Sequence, residues 1–138
     1  MQNIGVLEEE LITPKKNATI ISFINMKGGV GKTTLSVGVA DYLAEYKKDP
    51  LKVLIIDVDP QFNTTQALLD SYYNGDYFGD ILPEEKTINK LFKPQVQFSQ
   101  QYESPKKEEL ILELTSNLHI ICGDLNLVLA NKSSDYTC

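Results

Sequence analysis

The stretch that decides the fold is Thr19-Ile20-Ile21-Ser22-Phe23-Ile24-Asn25-Met26-Lys27-Gly28-Gly29-Val30-Gly31-Lys32-Thr33-Thr34. Its first part is β-branched and apolar almost throughout, the pattern of a strand buried on both faces of a parallel sheet. Its second part is rich in glycine and ends in Gly-Lys-Thr. Glycines let successive backbone N–H groups turn inward around an anion, and a helix that follows adds the positive end of its dipole. In that setting Lys32 is placed to reach the outer phosphates of a nucleotide, the Thr33 hydroxyl to hold Mg²⁺, and Thr34 to bond a phosphate oxygen. The standard pattern asks for glycine five residues before Gly31; Met26 stands there, and an additional cation, Lys27, follows it. A Gly-rich turn without a ligand leaves Gly-Lys-Thr after an apolar run unexplained.

Downstream, Leu35, Val39, Leu43 and Tyr46 recur at helical spacing. They predict a helix from near Lys32 to Lys47-Lys48, whose charges suit the negative end of the dipole. Asp49-Pro50 then breaks the chain, and Val53-Leu54-Ile55-Ile56-Asp57 reads as a second buried strand, completing a right-handed βαβ unit. Asn63-Thr64-Thr65 is a cap for a helix running through Leu68-Leu69. A Tyr/Gly/Asp-rich connection follows over 70–85, with Tyr72, Tyr73, Tyr77 and Phe78 read as a locally packed loop in preference to a partner patch. Thr87 to Phe92 reads as a short helix, 93–107 as a mobile loop, and 108–115 as weakly helical. Leu118-His119-Ile120-Ile121-Cys122 is a third strand. Asp124 after it is read as the cap of a helix from Leu125, ahead of the alternative of a magnesium-site carboxylate.

The second constellation is Asp57-Val58-Asp59-Pro60-Gln61, two carboxylates two residues apart at the carboxyl end of a strand. That edge is where open α/β sheets bind ligands. One carboxylate there can hold magnesium-bound water and another can orient an attacking water. Alone, the pair is equally well read as a strand-ending Asp-Pro turn; beside the loop, the functional reading prevails.

Bulk properties bound the rest. A chain of 138 residues, 42% hydrophobic and 23% charged, is ordinary for a globular domain with a real core. No apolar run approaches a bilayer span, and Glu8-Glu9-Glu10 stands where a signal peptide is apolar, so a cytoplasmic protein without membrane attachment is expected. The net charge of −6 argues against a broad nucleic-acid-binding face on this stretch. Two cysteines and a single His119 provide neither a disulfide framework nor a zinc site.

Asn25 through Thr34, and Val53 through Thr65 with its Asp-Val-Asp-Pro-Gln-Phe-Asn-Thr-Thr, resemble the ParA/Soj branch of the MinD/ParA ATPases. Asn117-Leu118-His119-Ile120-Ile121 is similar to that family's next strand. The resemblance covers roughly residues 18–130, strongly over the two motifs and weakly over 70–115. It implies an α/β, P-loop NTPase-type parallel sheet flanked by helices, present here as the N-terminal part of the fold. Residues 1–17 are then an N-terminal extension and 18–138 the N-terminal part of the ATPase domain. It implies ATP and Mg²⁺ as cofactors, Gly28, Gly29, Val30, Gly31, Lys32, Thr33 and Thr34 around the nucleotide, and Thr33 and Asp57 on the metal. It also implies Lys27 as the signature lysine reaching across an ATP-closed homodimer, with Lys32 and Asp59 completing the catalytic set. Partition of plasmid or chromosome DNA with a centromere-binding partner protein is the implied activity, with DNA held non-specifically by regions largely outside this stretch. The other expectation is a truncated, inactive remnant serving as a phosphate-binding or interaction module.

Overall fold

A computed structural model describes residues 17–24, 27–92 and 105–127. Helix α1 spans Lys32–Asp41 and continues as a π-helical turn over Tyr42–Tyr46. Then come strand β1 (Val53–Ile56), helix α2 (Asn63–Tyr72), a second π-helical turn (Tyr77–Ile81), and the one-turn helices α3 (Asn89–Phe92) and α4 (Lys107–Leu110). Strands β2 (Leu112–Glu113) and β3 (Leu118–Ile121) complete the sheet, whose order is β1-β3-β2. β1 and β3 run parallel, in register from Val53 opposite Leu118 to Ile56 opposite Ile121. β2 is antiparallel to β3. A single parallel bridge, Thr87 to Cys122, extends β3 by one residue.

Alternation along the strands sets the layers. Val53 and Ile55 turn with Leu118 and Ile120 toward Ala40 and Ala44 on α1 and its turn, and toward Leu68 on α2. Phe62, Leu69, Tyr77, Ile81 and Cys122 fill the same core. Each buried Leu or Ile contributes on the order of 1.5–3 kcal/mol, so this cluster is what fixes α1 and α2 on the sheet. The tyrosine-rich connection is packed locally. Tyr77 stacks on Phe62 with centroids 4.8 Å apart and donates its hydroxyl to the Gly123 carbonyl at 2.8 Å. Tyr72 donates to Asp41 Oδ1 at 2.9 Å, tying α2 to α1.

Several expectations are corrected. The run 19–24 is not a strand of this sheet: residues 17–24 form neither helix nor ladder, and Ile20 and Ile24 are each 87% exposed. Apolar periodicity reports a preference for burial and names no partner; among the described residues no strand lies alongside this run, so the βαβ unit through α1 is not closed. The sheet is accordingly mixed, and its parallel crossover runs from β1 through α2 to β3. The segment 108–115 is helical only to Leu110, then pairs with β3, because Leu112 and Glu113 meet an available edge. Lys47 lies just past the last helical turn and donates to the Asp49 carbonyl, and no basic residue falls in that turn. Residues 1–16, Met26, the loop over 93–104 and the helix expected beyond Leu127 lie outside the described residues.

One polar knot joins β1, α2 and β3. Residue Phe62 at the start of α2 is left-handed (φ 42°), and no neighbouring side chain caps the helix. The cap comes instead from Asp57, at the end of β1: its Oδ2 accepts the Thr65 backbone N–H at 2.8 Å and the Thr65 hydroxyl at 2.7 Å. An anion at a helix N-terminus is favoured both by the free N–H groups and by the dipole. The Thr65 oxygen in turn accepts the N–H of Gly123 at 2.8 Å, just past β3. Asp57, Thr65 and Gly123 are all buried.

Thr65→Val leaves the Gly123 N–H without its acceptor and Asp57 Oδ2 with only the backbone N–H of residue 65, and is expected to lower stability by about 1–3 kcal/mol while Thr65→Ser retains most of it; urea midpoints measure both. A Cβ on Gly123 meets Phe62 Cβ at 2.7 Å and Asp57 Cγ at 3.2 Å. Gly123→Ala should therefore cost about 1–3 kcal/mol by overpacking, read from the same titrations. Burial, and secondarily Asp57, push the Cys122 thiol from 9.0 up to about 12. Its modification by a thiol reagent at pH 8 should follow global unfolding, so labelling at a rate insensitive to added urea would contradict the burial described.

Candidate phosphate-binding site

The loop ahead of α1 is shaped by two left-handed glycines, Gly29 (φ 72°) and Gly31 (φ 84°). Residues with a Cβ adopt that conformation only at a cost, so the turn depends on glycine at both places. Gly31 occupies the N-cap of α1, and the first helical bond runs from the Leu35 N–H to its carbonyl at 2.8 Å. The N–H groups of Lys32, Thr33 and Thr34 thus precede the helical ladder and present the positive end of a ten-residue helix. No acidic residue lies in the first turn to neutralise it.

This end of α1 opens on a cavity of about 580 Å³ lined by Lys27–Thr34 on one side and by Asp59, Gln61 and Asn63 on the other. Lys32 Nζ meets Asp59 Oδ2 at 2.8 Å across it. The second oxygen, Asp59 Oδ1, accepts the Gln61 N–H at 3.0 Å, and Asn63 Nδ2 donates to Gln61 Oε1 at 3.2 Å. The Lys32 ammonium, helped by the Gln61 N–H, holds the Asp59 carboxyl below the usual carboxylate range. Thr33 is half-buried beside Lys32, and Ser36 ties down the first turn by donating to the Lys32 and Thr33 carbonyls.

The two carboxylates of Asp57-Val58-Asp59 part company. Asp59 lines the cavity; Asp57 is buried, is not among the lining residues, and turns its Oδ2 into the start of α2 while Oδ1 accepts the Asp59 N–H at 3.1 Å. Asp57 thereby sets the loop on which Asp59 stands. Gln61 and Asn63 are lining residues that the motif reading did not single out. No single period announces them: Gln61 stands in the turn after Pro60, and Asn63 opens α2 after a left-handed Phe62. Asp124 is also buried, accepting from the Thr87 hydroxyl and from the Asn126 N–H at 2.7 Å, so it closes the turn after β3. Among the described residues no cluster of three or more His, Cys, Asp or Glu side chains is assembled, and no helix is long and apolar enough to cross a membrane.

Comparison with known proteins shows the family. A family model described as an AAA domain (AAA_31) matches residues 18–135. The chain is 50% identical over 48 residues to the chromosome-partitioning ATPase Soj of Thermus thermophilus, covering 35% of this chain and 18% of that protein. It is 51% identical over 49 residues to the sporulation initiation inhibitor protein Soj of Bacillus subtilis, with 36% and 18% covered. An uncharacterized protein of Methanocaldococcus jannaschii is 48% identical over 116 residues, 82% of this chain and 38% of that one. The chain therefore spans well under half the length of these relatives. No solved structure matches. The matched family and the Soj relatives together identify the chain as a member of the AAA-domain ATPases of ParA/MinD type, carrying part of their P-loop NTPase fold.

Proposed function

We propose that this chain binds ATP with Mg²⁺ at the cavity ahead of α1, as the nucleotide site of a partition ATPase. The observation that carries the reading is the meeting of a glycine-turned helix N-terminus and Lys32 with an acid–amide wall across one cavity. The loop N–H groups and Lys32 would hold the phosphates, and Lys27, on the same lining, would serve a second subunit's phosphates in a nucleotide-closed dimer. The donor set suits magnesium, a hard cation that takes few protein oxygens and keeps phosphate and water ligands. Thr33 would hold it through its hydroxyl, and the ion would supply charge neutralisation on the phosphates; Asp57, expected on the metal, is buried and turned into the start of α2, so its part is to set the loop that carries Asp59. Asp59 would orient the attacking water and accept its proton. DNA binding and a centromere-binding partner would engage surfaces largely outside this acidic stretch, in cytoplasm where plasmid or chromosome is segregated.

A second reading, a phosphate-binding module without turnover, is favoured by one observation: among the described residues the run 17–24 leading into the loop lies outside the sheet, so no strand of the sheet leads into it.

Titration of the 138-residue chain with a fluorescent ATP analogue tests the site. Binding in the micromolar range is expected, lost at least tenfold in Lys32→Ala. Thr33→Ala is expected to keep metal-free binding and to lose the gain that Mg²⁺ confers. Saturating Mg-ATP at a hundred times Kd should stabilise the fold by about 2.7 kcal/mol; a thermal midpoint indifferent to nucleotide would sink the ATP reading. Binding without measurable phosphate release selects the module over the ATPase.

A further inference from the structure

The contact between Lys32 and Asp59 is more than proximity. The Asp59 carboxylate is anchored on its other oxygen by the Gln61 N–H, and its own N–H is held by Asp57, itself fixed in the knot under α2. A carboxylate delivered by this many fixed bonds is a built partner for the lysine. Its Oδ2 lies 2.8 Å from Nζ, the separation of a charge-assisted hydrogen bond to any anionic oxygen. Both groups line the cavity.

We infer that Asp59 is an internal stand-in for phosphate, a self-inhibitory latch that competes with a phosphate chain for Lys32 and is displaced when one binds. The inference rests on the phosphate-binding reading above. Two consequences follow. A ligand that engages Lys32 must first break the latch, so its apparent affinity falls in proportion to the fraction of protein with the lysine free; a latch closed nine-tenths of the time weakens it about tenfold. The same exchange releases the carboxylate into the cavity beside Gln61, so the base becomes available only once the phosphates are seated. Competition for Lys32 thereby ties the readiness of Asp59 to ligand occupancy. A ligand that touches the cavity without using Lys32, such as the bare nucleoside, leaves the latch untouched.

The test is calorimetric binding of pyrophosphate and adenosine to the full 138-residue chain in EDTA, where no metal role of Asp59 enters. Asp59→Asn is expected to tighten pyrophosphate about tenfold and leave adenosine unchanged. Asp59→Glu keeps the charge but shifts the carboxylate out of the Gln61 turn, and should tighten it partway. An unchanged or weakened affinity in Asp59→Asn overturns the inference, as does a gain in Asp59→Asn with none in Asp59→Glu, which is simple removal of repulsion. Pyrophosphate binding that Lys32→Ala abolishes, with no gain in Asp59→Asn, removes the latch and leaves the site reading standing. No binding by wild type or either variant removes both. Unfolding midpoints of the variants verify that each is folded, as expected for a side chain at the cavity surface.

Discussion

The buried carboxylate of Asp57 is the constraint on which the described structure turns. It ends β1, caps α2 from eight residues upstream, and through the Thr65 oxygen grips the backbone just past β3. A helix whose first residue follows a left-handed Phe62 has no cap of its own. Without an anion from elsewhere, its first N–H groups would be left unsatisfied near the core. The aromatic stack of Phe62 on Tyr77, and the Tyr77 hydroxyl on Gly123, close around the same point from the apolar side. Burial, capping and close backbone approach therefore reinforce one another at a single junction of strand and helix.

That junction also governs the cavity. The loop 57–63 begins at Asp57 and ends at the start of α2, so the wall bearing Asp59, Gln61 and Asn63 is stretched between two fixed ends. On the opposite wall, Ser36 and the α1–α2 packing, with the Tyr72–Asp41 bond, fix the helix whose N-terminus faces it. The meeting of Lys32 and Asp59 is the product of both.

Much of this was legible in the sequence. The strands at 53–57 and 118–122 carried short, bounded apolar runs, and each found the other in parallel. The start of α1 followed from glycines that only a left-handed turn explains, and its juxtaposition with Asp59 from the rule that ligands gather at the carboxyl ends of strands. What escaped had non-local causes. The run 19–24 has a strand's composition but no strand beside it among the described residues. Leu112 and Glu113 are too short a pair to show a period, and became β2 because β3 offered an edge. The different fates of Asp57 and Asp59 could not be read from two identical side chains two residues apart; the pleat and the distant Thr65 decided them.

The sheet leaves one feature with a bearing on handling. Among the described residues β1 stands at an edge, and Leu54 and Ile56 on it, with Val58 just past it, are 44, 53 and 58% exposed. Unpaired backbone beside a row of branched side chains is a template for accretion of further chains. The surplus of acidic groups opposes this by mutual repulsion over a Debye length of about 10 Å at 0.1 M salt. Colloidal stability of this chain is thus governed by ionic strength, and buffers of high salt, chosen by habit to suppress stray charge contacts, remove the repulsion that keeps its open edge solitary.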